Sequence, residues 1–382
     1  MRVVFVINSL GAGGTERSTA VLLPLLRERG IDAVVVCLLH RDEGDEANVI
    51  EQGFDVRFVP ATRLLGRVRA VRAILRELEP DVVHTAIFEA DVVGRLAAFR
   101  LGIPVLTSLV NTPYDPTRRD DPNVVPWKLR IVREIDSATG RLANAHFHAV
   151  TPGVADDAVT TLRFRRDRIS VVERGRDPEA FGRRDDERRA RIRAGLGVTA
   201  DERLILAVGR QEFQKAHVHL VGAVRELVPH GNPPVVLAIA GRRGNASDEL
   251  DAAIRASGLG DRVRLLGHRD DVADLLVAAD VFVMPSRYEG TAGAAIEAMA
   301  LKTPIVATDL TGTAGILEHE VNALLVPVGD TAALAKAIRS IFEHPEDAQA
   351  RASRARRDFD ERFTLERSAD RMTELYARVA RR

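Results

Sequence analysis

The sequence contains little of what marks secreted and membrane-spanning proteins. It has one cysteine, Cys37, which excludes an intramolecular disulfide and fits a reducing cytoplasm. No apolar run approaches the roughly 20 residues that a membrane-spanning helix requires. The first apolar run, residues 3–7, ends at Asn8 and Ser9, so we expect no signal peptide. We therefore predict a soluble, cytoplasmic protein.

Neither sign of charge is in excess. The sequence has 55 basic and 55 acidic residues and a formal net charge of +0. A dedicated nucleic-acid-binding protein carries a basic excess over its whole domain, so we expect no nucleic-acid partner. The balance remains compatible with a local basic face.

Short runs rich in Val and Ile alternate with amphipathic stretches of helical period along the whole chain. Continuous apolar strands that alternate with helices are typical of parallel sheets covered on both faces. The length of 382 residues allows two such domains, because single cores stop growing at roughly 250–300 residues. Buried strands are predicted at residues 2–7, 33–39, 55–59, 81–84, 103–107, 146–150, 203–208, 234–240, 262–265, 280–284, 304–307 and 322–326.

The alternation breaks at residues 181–193, which are highly charged and which we interpret as a solvated helix or an interdomain connector. We predict an α/β fold of two Rossmann-like, doubly wound parallel-sheet domains, residues 1–180 and 190–362. A last amphipathic helix, within residues 365–382, is expected to pack back on the first domain.

A glycine-containing loop follows the first predicted strand. Residues 8–16 read Asn-Ser-Leu-Gly-Ala-Gly-Gly-Thr-Glu, and Gly13 and Gly14 would let an anion approach the first amides of the next helix. The spacing matches neither the dinucleotide fingerprint nor the P-loop. A turn that serves only helix–strand packing therefore remains an equal alternative.

A second loop, Val-Gly-Arg-Gln-Glu-Phe-Gln-Lys at residues 208–215, also follows a predicted strand. Arg210 offers a planar set of donors and Lys215 a point charge, which together suit a diphosphate. The alternative is an ordinary solvated loop, because exposed Arg and Lys are common.

The third segment, residues 285–300, places Glu289 just past a strand and Glu297 in the first turns of a helix. A carboxylate at a strand end accepts sugar hydroxyls, and the amides at a helix start hold a phosphate. Glu297 would accept ribose hydroxyls, as acidic residues do in other nucleotide sites. All three segments lie at the carboxyl ends of predicted parallel strands, where open α/β sheets bind ligands.

The second half resembles the retaining, two-Rossmann-domain (GT-B) glycosyltransferases of family 4. Pro-Ser-Arg-Tyr-Glu-Gly-(x6)-Glu-Ala-Met-Ala at 285–300 is similar to the family's Glu-(x7)-Glu motif, and Val-Gly-Arg-(x4)-Lys at 208–215 to its phosphate-binding pair. In the first half, residues 13–16 resemble the family's glycine loop and residues 81–84 its fourth strand. The resemblance implies two domains that face each other across a cleft. It also implies a glycosyltransferase of the hexosyltransferase type that moves a sugar, with retention, from a nucleotide-diphosphate sugar to an acceptor hydroxyl.

The resemblance implies a role for each candidate residue. The donor-binding residues would be Gly13, Gly14, Arg210, Lys215, Gly241, Arg269, Asp270, Glu289, Gly290, Thr291, Ala292, Gly293 and Glu297. The catalytic candidates are Glu289, Asn111 and His84, and the acceptor-side candidates are Asn111, Thr112 and Tyr114. The acceptor would be a polysaccharide precursor, a lipid carrier or a small metabolite. We expect no cofactor and no metal ion, since the donor is a co-substrate.

Two regions depart from the family pattern. Asn111 stands where the family usually has a catalytic-site histidine, and an asparagine exchanges no proton at neutral pH. A front-face transfer with the departing phosphate as base remains compatible with this residue. The usual Gly after Lys215 is Ala216, and the usual Phe-Gly is Thr291-Ala292, so we expect altered sugar selectivity or a lower rate. The alternative is a catalytically weak nucleotide-sugar-binding or assembly protein on the same fold.

Two further features allow two interpretations each. His84 ends a predicted strand, and it either faces the cleft or is a buried, hydrogen-bonded histidine. The helix over residues 63–76 carries arginines in an amphipathic pattern, which is compatible with weak peripheral contact at the inner membrane face. The alternative, which we favour, is a surface helix whose apolar stripe covers the sheet.

Overall fold

The structure is a computed structural model, and it describes residues 1–11, 13–41, 44–228 and 234–381. The chain divides into two compact units. The first unit comprises Met1–Gly175 and Leu365–Arg382, and the second comprises Arg176–Thr364. This division lies several residues before the predicted one, which was between 180 and 190. Ala12 of the predicted glycine loop and Arg382 of the predicted final helix lie outside the described residues.

Strands and helices alternate along the described chain. Its strands are β1 (Arg2–Ile7), β2 (Asp32–Cys37), β3 (Asp55–Phe58), β4 (Val82–Ala86), β5 (Val105–Leu109), β6 (His146–Ala149), β7 (Ile169–Val171), β8 (Arg203–Val208), β9 (Val235–Ala240), β10 (Val263–Gly267), β11 (Val281–Met284), β12 (Ile305–Thr308) and β13 (Leu324–Val326). Its α-helices are α1 (Gly14–Glu28), α2 (Glu46–Glu51), α3 (Leu64–Leu78), α4 (Phe88–Phe99), α5 (Pro126–Leu142), α6 (Pro152–Thr161), α7 (Asp186–Gly195), α8 (His217–Leu227), α9 (Ser247–Ser257), α10 (Val272–Ala278), α11 (Gly293–Ala300), α12 (Thr331–Glu343), α13 (Pro345–Arg362) and α14 (Leu365–Ala380).

The first unit is built on a parallel sheet in the order β3-β2-β1-β4-β5-β6-β7. From β3 onward every connection moves in the same direction along the sheet, and right-handed crossovers therefore place α3, α4 and α5 on one face. Val4 and Val6 of β1 face this layer, whereas Val3 and Phe5 face the opposite one. The central strands are buried on both faces, as predicted. The strand predicted at 55–59 is instead a partly exposed edge strand, because β3 has a neighbour on one side only.

The final helix α14 belongs to the first unit. Met372, Leu375 and Tyr376 are buried in the same apolar cluster as Phe5. The guanidinium of Arg29, which directly follows α1, holds the start of α14 through ion pairs to Glu366 and Asp370 of 2.5 and 2.7 Å. Helix α14 thus covers the face of the sheet opposite to α3, α4 and α5.

The apolar stripe of α3 is buried in the first unit. Val68, Val71 and Leu75 belong to the core beneath the sheet. The Arg67 side chain donates to the carbonyl of Ala61 and is buried, and Arg72 donates to carbonyls at the end of α4. The apolar stripe of helix 63–76 therefore covers the sheet, as the favoured alternative predicted, and peripheral membrane contact through the exposed part of this helix stays a prediction. None of the described helices is long and apolar enough to cross a membrane.

The second unit repeats the topology of the first, with a parallel sheet in the order β10-β9-β8-β11-β12-β13. Helices α8, α9 and α12 cover one face, and α7, α10, α11 and α13 cover the other. Both cores consist mainly of Val, Ile, Leu and Ala from strands that are continuous apolar runs. The predicted class, two doubly wound α/β domains with parallel sheets, is confirmed.

The charged segment at 181–193 is not a connector. Most of it lies in α7, and several of its arginines are bonded within the second unit. Arg189 and Arg193 donate to Asp280 and to backbone carbonyls at the end of α10, and Arg188 pairs with Asp274 at 2.6 Å. The arginines satisfy orphan carbonyls at a helix end, so this charge-rich helix is part of the fold.

Candidate functional site

The candidate residues of the second unit gather at the carboxyl ends of β8 and β11. These strands are neighbours in the sheet, so the loops that follow them lie side by side. Two backbone and side-chain contacts join the loops: Arg287 N donates to the Gln214 carbonyl at 2.8 Å, and Gln214 Nε2 donates to the Tyr288 carbonyl at 3.0 Å. The structure thus brings the second and third predicted segments together.

Lys215 and Glu289 form an ion pair at the centre of these loops. Lys215 Nζ donates to Glu289 Oε1 at 2.5 Å, and the same oxygen accepts from Ser286 Oγ at 2.6 Å. The Glu289 side chain is buried, whereas the lysine remains partly accessible. A lysine held in place by a buried carboxylate presents a fixed positive charge, and the carboxylate is an acceptor for hydroxyl groups.

Arg210 lies on the rim of the loop after β8. Its side chain is 67% exposed, and Nη1 pairs with Glu212 Oε1 at 2.7 Å. The contribution of an exposed pair of this kind is small, so the guanidinium exchanges partners at little cost. Arg210 and Lys215 therefore supply two cations at one strand end, as the pattern predicted.

Two residues fix the backbone at Gly209, directly before Arg210. His217 Nε2 lies 3.1 Å from the Gly209 carbonyl, and burial lowers the pKa of this histidine to about 4, so the neutral ring donates to the carbonyl. A Cβ at Gly241 would lie 1.9 Å from the same carbonyl oxygen. Gly241, predicted as a donor-binding residue, thus allows β9 to approach the loop after β8.

The start of α11 and the second carboxylate form the adjoining part of the site. Helix α11 begins at Gly293, and Glu297 lies one turn into it. Glu297 Oε1 accepts from Arg176 Nε at 3.1 Å. A Cβ at Gly293 would lie 2.5 Å from Arg176 Nη2, so this guanidinium lies over the helix start. Arg176 was missed in the sequence, where nothing in its neighbours distinguishes it.

The departures from the family's glycines fall on left-handed backbone. Ala216 has φ +49° before α8, and Ala292 has φ +47° before α11. A glycine adopts this region without cost, whereas an L-residue pays about 1 kcal/mol or more. The backbone conformation is therefore kept despite the added methyl groups. Within the described chain the Thr291 hydroxyl has no hydrogen-bond partner, and it lies between Gly290 and Ala292.

Arg269 and Asp270, predicted to border a base, lie after β10. The Arg269 guanidinium is bound to Asp271, with Nε 2.7 Å from Oδ1. Asp270 is exposed and lies 3.2 Å from His268 Nε2. Both side chains thus bind residues of their own loop. The backbone at the end of β10 contacts the carboxyl end of β9, because Gly241 N donates to the Gly267 carbonyl at 2.7 Å.

The glycine loop of the first unit is placed by Arg174. Gly13 precedes α1 and Gly14 begins it. The Arg174 guanidinium donates to the Gly14 carbonyl at 3.4 Å and to Thr15 Oγ1 at 3.2 Å. A Cβ on Gly14 would meet no atom within 4 Å, so its surroundings are open.

His84, a catalytic candidate, lies in a buried chain of hydrogen bonds. The links run from the Tyr376 hydroxyl to His84, to Ser108, to His148 and to the Val172 carbonyl, over distances of 2.7, 2.7, 2.8 and 2.8 Å. Because a carbonyl only accepts, His148 Nε2 donates, and the direction of every other link follows. Burial lowers the pKa of His84 to about 3 and that of His148 to about 4. Both nitrogens of His84 are engaged and the ring is neutral, which favours the interpretation as a buried, hydrogen-bonded histidine, and the catalytic role of His84 stays a prediction.

The acceptor-side candidates differ in exposure. Asn111 is exposed at the start of the loop after β5, whereas Thr112 and Tyr114 are buried. The Tyr114 hydroxyl donates to Asp136 Oδ2 at 2.9 Å, and burial raises the pKa of this hydroxyl. Asp136 also pairs with the buried Arg95 at 2.6 Å. Asn111 is thus accessible to a ligand, and Tyr114 supports the loop from below.

The described residues include no group of three or more His, Cys, Asp or Glu side chains arranged to hold a metal ion. The positive charge of the site in the second unit comes instead from Arg210, Lys215 and the amides of α11. Cations and helix amides next to two carboxylates suit a ligand that combines a diphosphate with hydroxyl groups.

Two family models match the chain over adjacent regions. "Glycosyl transferases group 1" matches residues 188–358, and "Glycosyltransferase Family 4" matches residues 12–180. A D-inositol 3-phosphate glycosyltransferase of Xylanimonas cellulosilytica is 32% identical over 316 residues, which are 79% of this chain and 73% of the relative. An alpha-maltose-1-phosphate synthase of Mycolicibacterium smegmatis is 29% identical, over 78% of this chain and 79% of the relative.

Solved structures show the same fold over the whole chain. HepE of Anabaena, solved in complex with UDP, superposes with a TM-score of 0.83 at 23% identity, over 99% of this chain and 100% of that one. Sucrose-phosphate synthase of Thermosynechococcus elongatus superposes with a TM-score of 0.82 at 22% identity, over 99% of both chains. With its two parallel-sheet units and these relatives, the chain belongs to the family 4 glycosyltransferases and has their GT-B fold.

Proposed function

We propose that this glycosyltransferase transfers a sugar from a nucleotide-diphosphate sugar to an acceptor hydroxyl with retention of configuration and without a metal ion. The observation that carries the proposal is the Lys215–Glu289 pair beside the start of α11. A polysaccharide precursor, a lipid carrier and a small metabolite remain the acceptor classes.

The donor would bind in the second unit. Lys215 and Arg210 would compensate the diphosphate, the first amides of α11 would hold its distal phosphate, and Glu297 would accept the ribose hydroxyls. HepE was solved with UDP and with UDP-glucose, which makes a uridine nucleotide the first donor to test here. Arg176 must then share Glu297 with the ribose, since the two are paired at 3.1 Å in this structure.

Transfer would proceed on the face of the leaving group. The acceptor oxygen bonds to the anomeric carbon while the bond from that carbon to the phosphate oxygen breaks, and the acceptor proton passes to the departing diphosphate. Glu289 would orient the sugar hydroxyls, and Lys215 would stabilise the charge that develops on the diphosphate. This route needs no basic side chain, which agrees with Asn111 at the position of the family histidine.

The donor assignment is tested with nucleotides and one matched pair of variants. Binding of UDP, GDP and ADP is measured by calorimetry, and nucleoside diphosphate release is then followed with the matching sugar donors over an acceptor panel. Lys215→Ala should lower turnover at least about 100-fold, as loss of a transition-state charge contact does. Lys336→Ala, an exposed lysine of α12, should leave turnover unchanged. Turnover of Lys215→Ala within twofold of wild type would contradict the diphosphate assignment.

Retention and metal independence each have a direct test. The anomeric coupling of the product, measured by NMR before mutarotation, should match that of the donor sugar, and an inverted product would refute the front-face step. Activity should be the same with and without EDTA. A loss that Mg²⁺ or Mn²⁺ restores would refute metal independence while leaving the nucleotide assignment intact.

A further inference from the structure

Helix α5 of the first unit exposes a row of large apolar side chains. Trp127 is 62% exposed and Ile131 50% exposed, and Ile135 and Leu142 continue the row. With 3.6 residues per turn, these four positions fall within about 80° of the helix circumference. Soluble proteins scatter exposed apolar residues singly, and a contiguous row marks an interaction surface.

The row is not the face with which α5 packs on its own unit. The buried positions of the helix are Asp136, Ser137 and Gly140, and Leu129 and Val132 pack partly against the core. These positions lie on the opposite side of the helix from the apolar row. Helix α5 therefore has two apolar sides, of which the fold uses one.

Cations flank the exposed row. Lys128, Arg130 and Arg141 are exposed on α5, and Lys128 Nζ lies 5.6 Å from the centre of the Trp127 ring. The one exposed carboxylate on the helix, Glu134, is paired with Arg133 at 2.7 Å. The surface around the row is thus positively charged.

The start of α3 extends the same surface. Leu64 and Leu65 are 48% and 69% exposed and follow the exposed Arg63. Helices that connect parallel strands run against them, so the starts of α3 and α5 lie at the same edge of the sheet. Helix α4 packs between α3 and α5, which separates their starts by roughly 20 Å at ordinary helix spacing.

We infer that the starts of α3 and α5 form a docking surface for an anionic lipid membrane, with Leu64, Leu65, Trp127 and Ile131 entering the headgroup region. The positive surroundings match anionic headgroups, and a tryptophan is suited to the interface between headgroups and acyl chains. A planar, fluid bilayer can contact the apolar starts of α3 and α5 at the same time, although α4 lies between them. The inference is independent of the proposed donor and of the reaction stereochemistry.

The chain carries its own probe, because Trp127 is its single tryptophan. The full-length protein is titrated with vesicles of phosphatidylcholine alone and with vesicles in which about one-third of the lipid is the anionic phosphatidylglycerol. Anionic vesicles should shift the emission of Trp127 to the blue, and brominated acyl chains should quench it. High salt should weaken the shift by screening. An unchanged spectrum with anionic vesicles would overturn the inference.

Variants distinguish binding through this surface from non-specific adsorption to vesicles. In vesicle sedimentation, Ile131→Ser should weaken partitioning about tenfold, as loss of a buried apolar side chain does. Lys128→Ala should weaken it about fivefold, from about 1 kcal/mol per cation near the membrane surface. Ile50→Ser is the matched control, since Ile50 is 47% exposed on α2, and it should bind as wild type. A blue shift that depends on protein concentration without vesicles, with a dimer by light scattering, would assign the row to a second copy and refute membrane docking.

Discussion

Gly312 lies against the backbone of Glu289, and its replacement by alanine should displace the central carboxylate of the site. Gly312 belongs to a short turn, residues 311–313, between β12 and β13. An added Cβ would lie 1.7 Å from the Glu289 carbonyl oxygen and 2.6 Å from its carbonyl carbon. The backbone angles of Gly312 are open to alanine, so the effect is steric.

The size of the displacement follows from the contact. Real Cβ atoms stay at least 3.0 Å from their neighbours, so the Glu289 backbone and this turn must separate by about 1.3 Å or more. Overpacking of this kind costs about 1–3 kcal/mol of stability. A shift near 1 Å at a catalytic group costs about 100-fold in rate. The Lys215–Glu289 contact of 2.5 Å, which fixes both charges, would be the first to change.

The assay compares Gly312→Ala with Gly195→Ala. Gly195 ends α7 in the same unit, and a Cβ there meets no atom within 4 Å. Gly312→Ala should lower kcat/KM for the sugar donor about 100-fold and lower the free energy of unfolding by 1–3 kcal/mol. Gly195→Ala should keep full activity and be as stable or slightly more stable. The reasoning fails if Gly312→Ala keeps kcat/KM within fivefold of wild type, or if both variants lose the same activity.

Three further changes test other parts of the structure. The pKa values of His84 and His148 in the folded chain lie below the 6.5 of a free histidine, so the unfolded chain takes up protons first as the pH falls. Each of the two histidines should therefore lower the free energy of unfolding by about 2 kcal/mol between pH 7 and pH 5. Urea unfolding of His148→Gln should show a smaller loss than wild type, and an equal loss would contradict the neutral buried ring. Arg95→Met leaves the buried carboxylate of Asp136 without its cation and should lower the free energy of unfolding, measured in urea, by about 3–5 kcal/mol. A loss below about 1 kcal/mol would mean that the pair is not desolvated. Arg176→Ala should raise KM for the nucleotide donor several-fold with little change in kcat, because it frees the second carboxylate of the site to move; an unchanged KM would show that this ion pair does not position it.

Local pattern was sufficient for most of the fold. The strands were predictable because both faces of each central strand are buried, which gives continuous runs such as Val3–Ile7. The edge strand β3 was predicted as buried since its apolar run resembles the others, and only its place in the sheet exposes it. The arginines of α7 look like a solvated run because their acceptors lie about 90 residues further along the chain.

In the candidate site, too, residues with local sequence signals could be predicted and residues with distant partners could not. Lys215 and Glu289 were predictable, since each stands in a local motif that follows a strand. Arg176 has no local signal, because its partner is 121 residues away. The role of His84 likewise depends on Tyr376, which lies 292 residues further on. Sequence patterns thus identify residues whose partners lie in the same local motif, and they miss residues whose partners lie far away in the sequence.

The position of α14 has a consequence for how this protein is made. The first unit is completed by residues that follow the whole second unit, about 190 residues later. At translation rates of roughly 5–20 residues per second, the part of the first unit that α14 covers, which includes Phe5 and His84, stays without that helix for ~10–40 s. The second unit is contiguous and needs no later segment to close its core. We therefore expect the usual order of folding to be reversed during synthesis, with the second unit closing first and the first unit exposed to chaperones until α14 emerges.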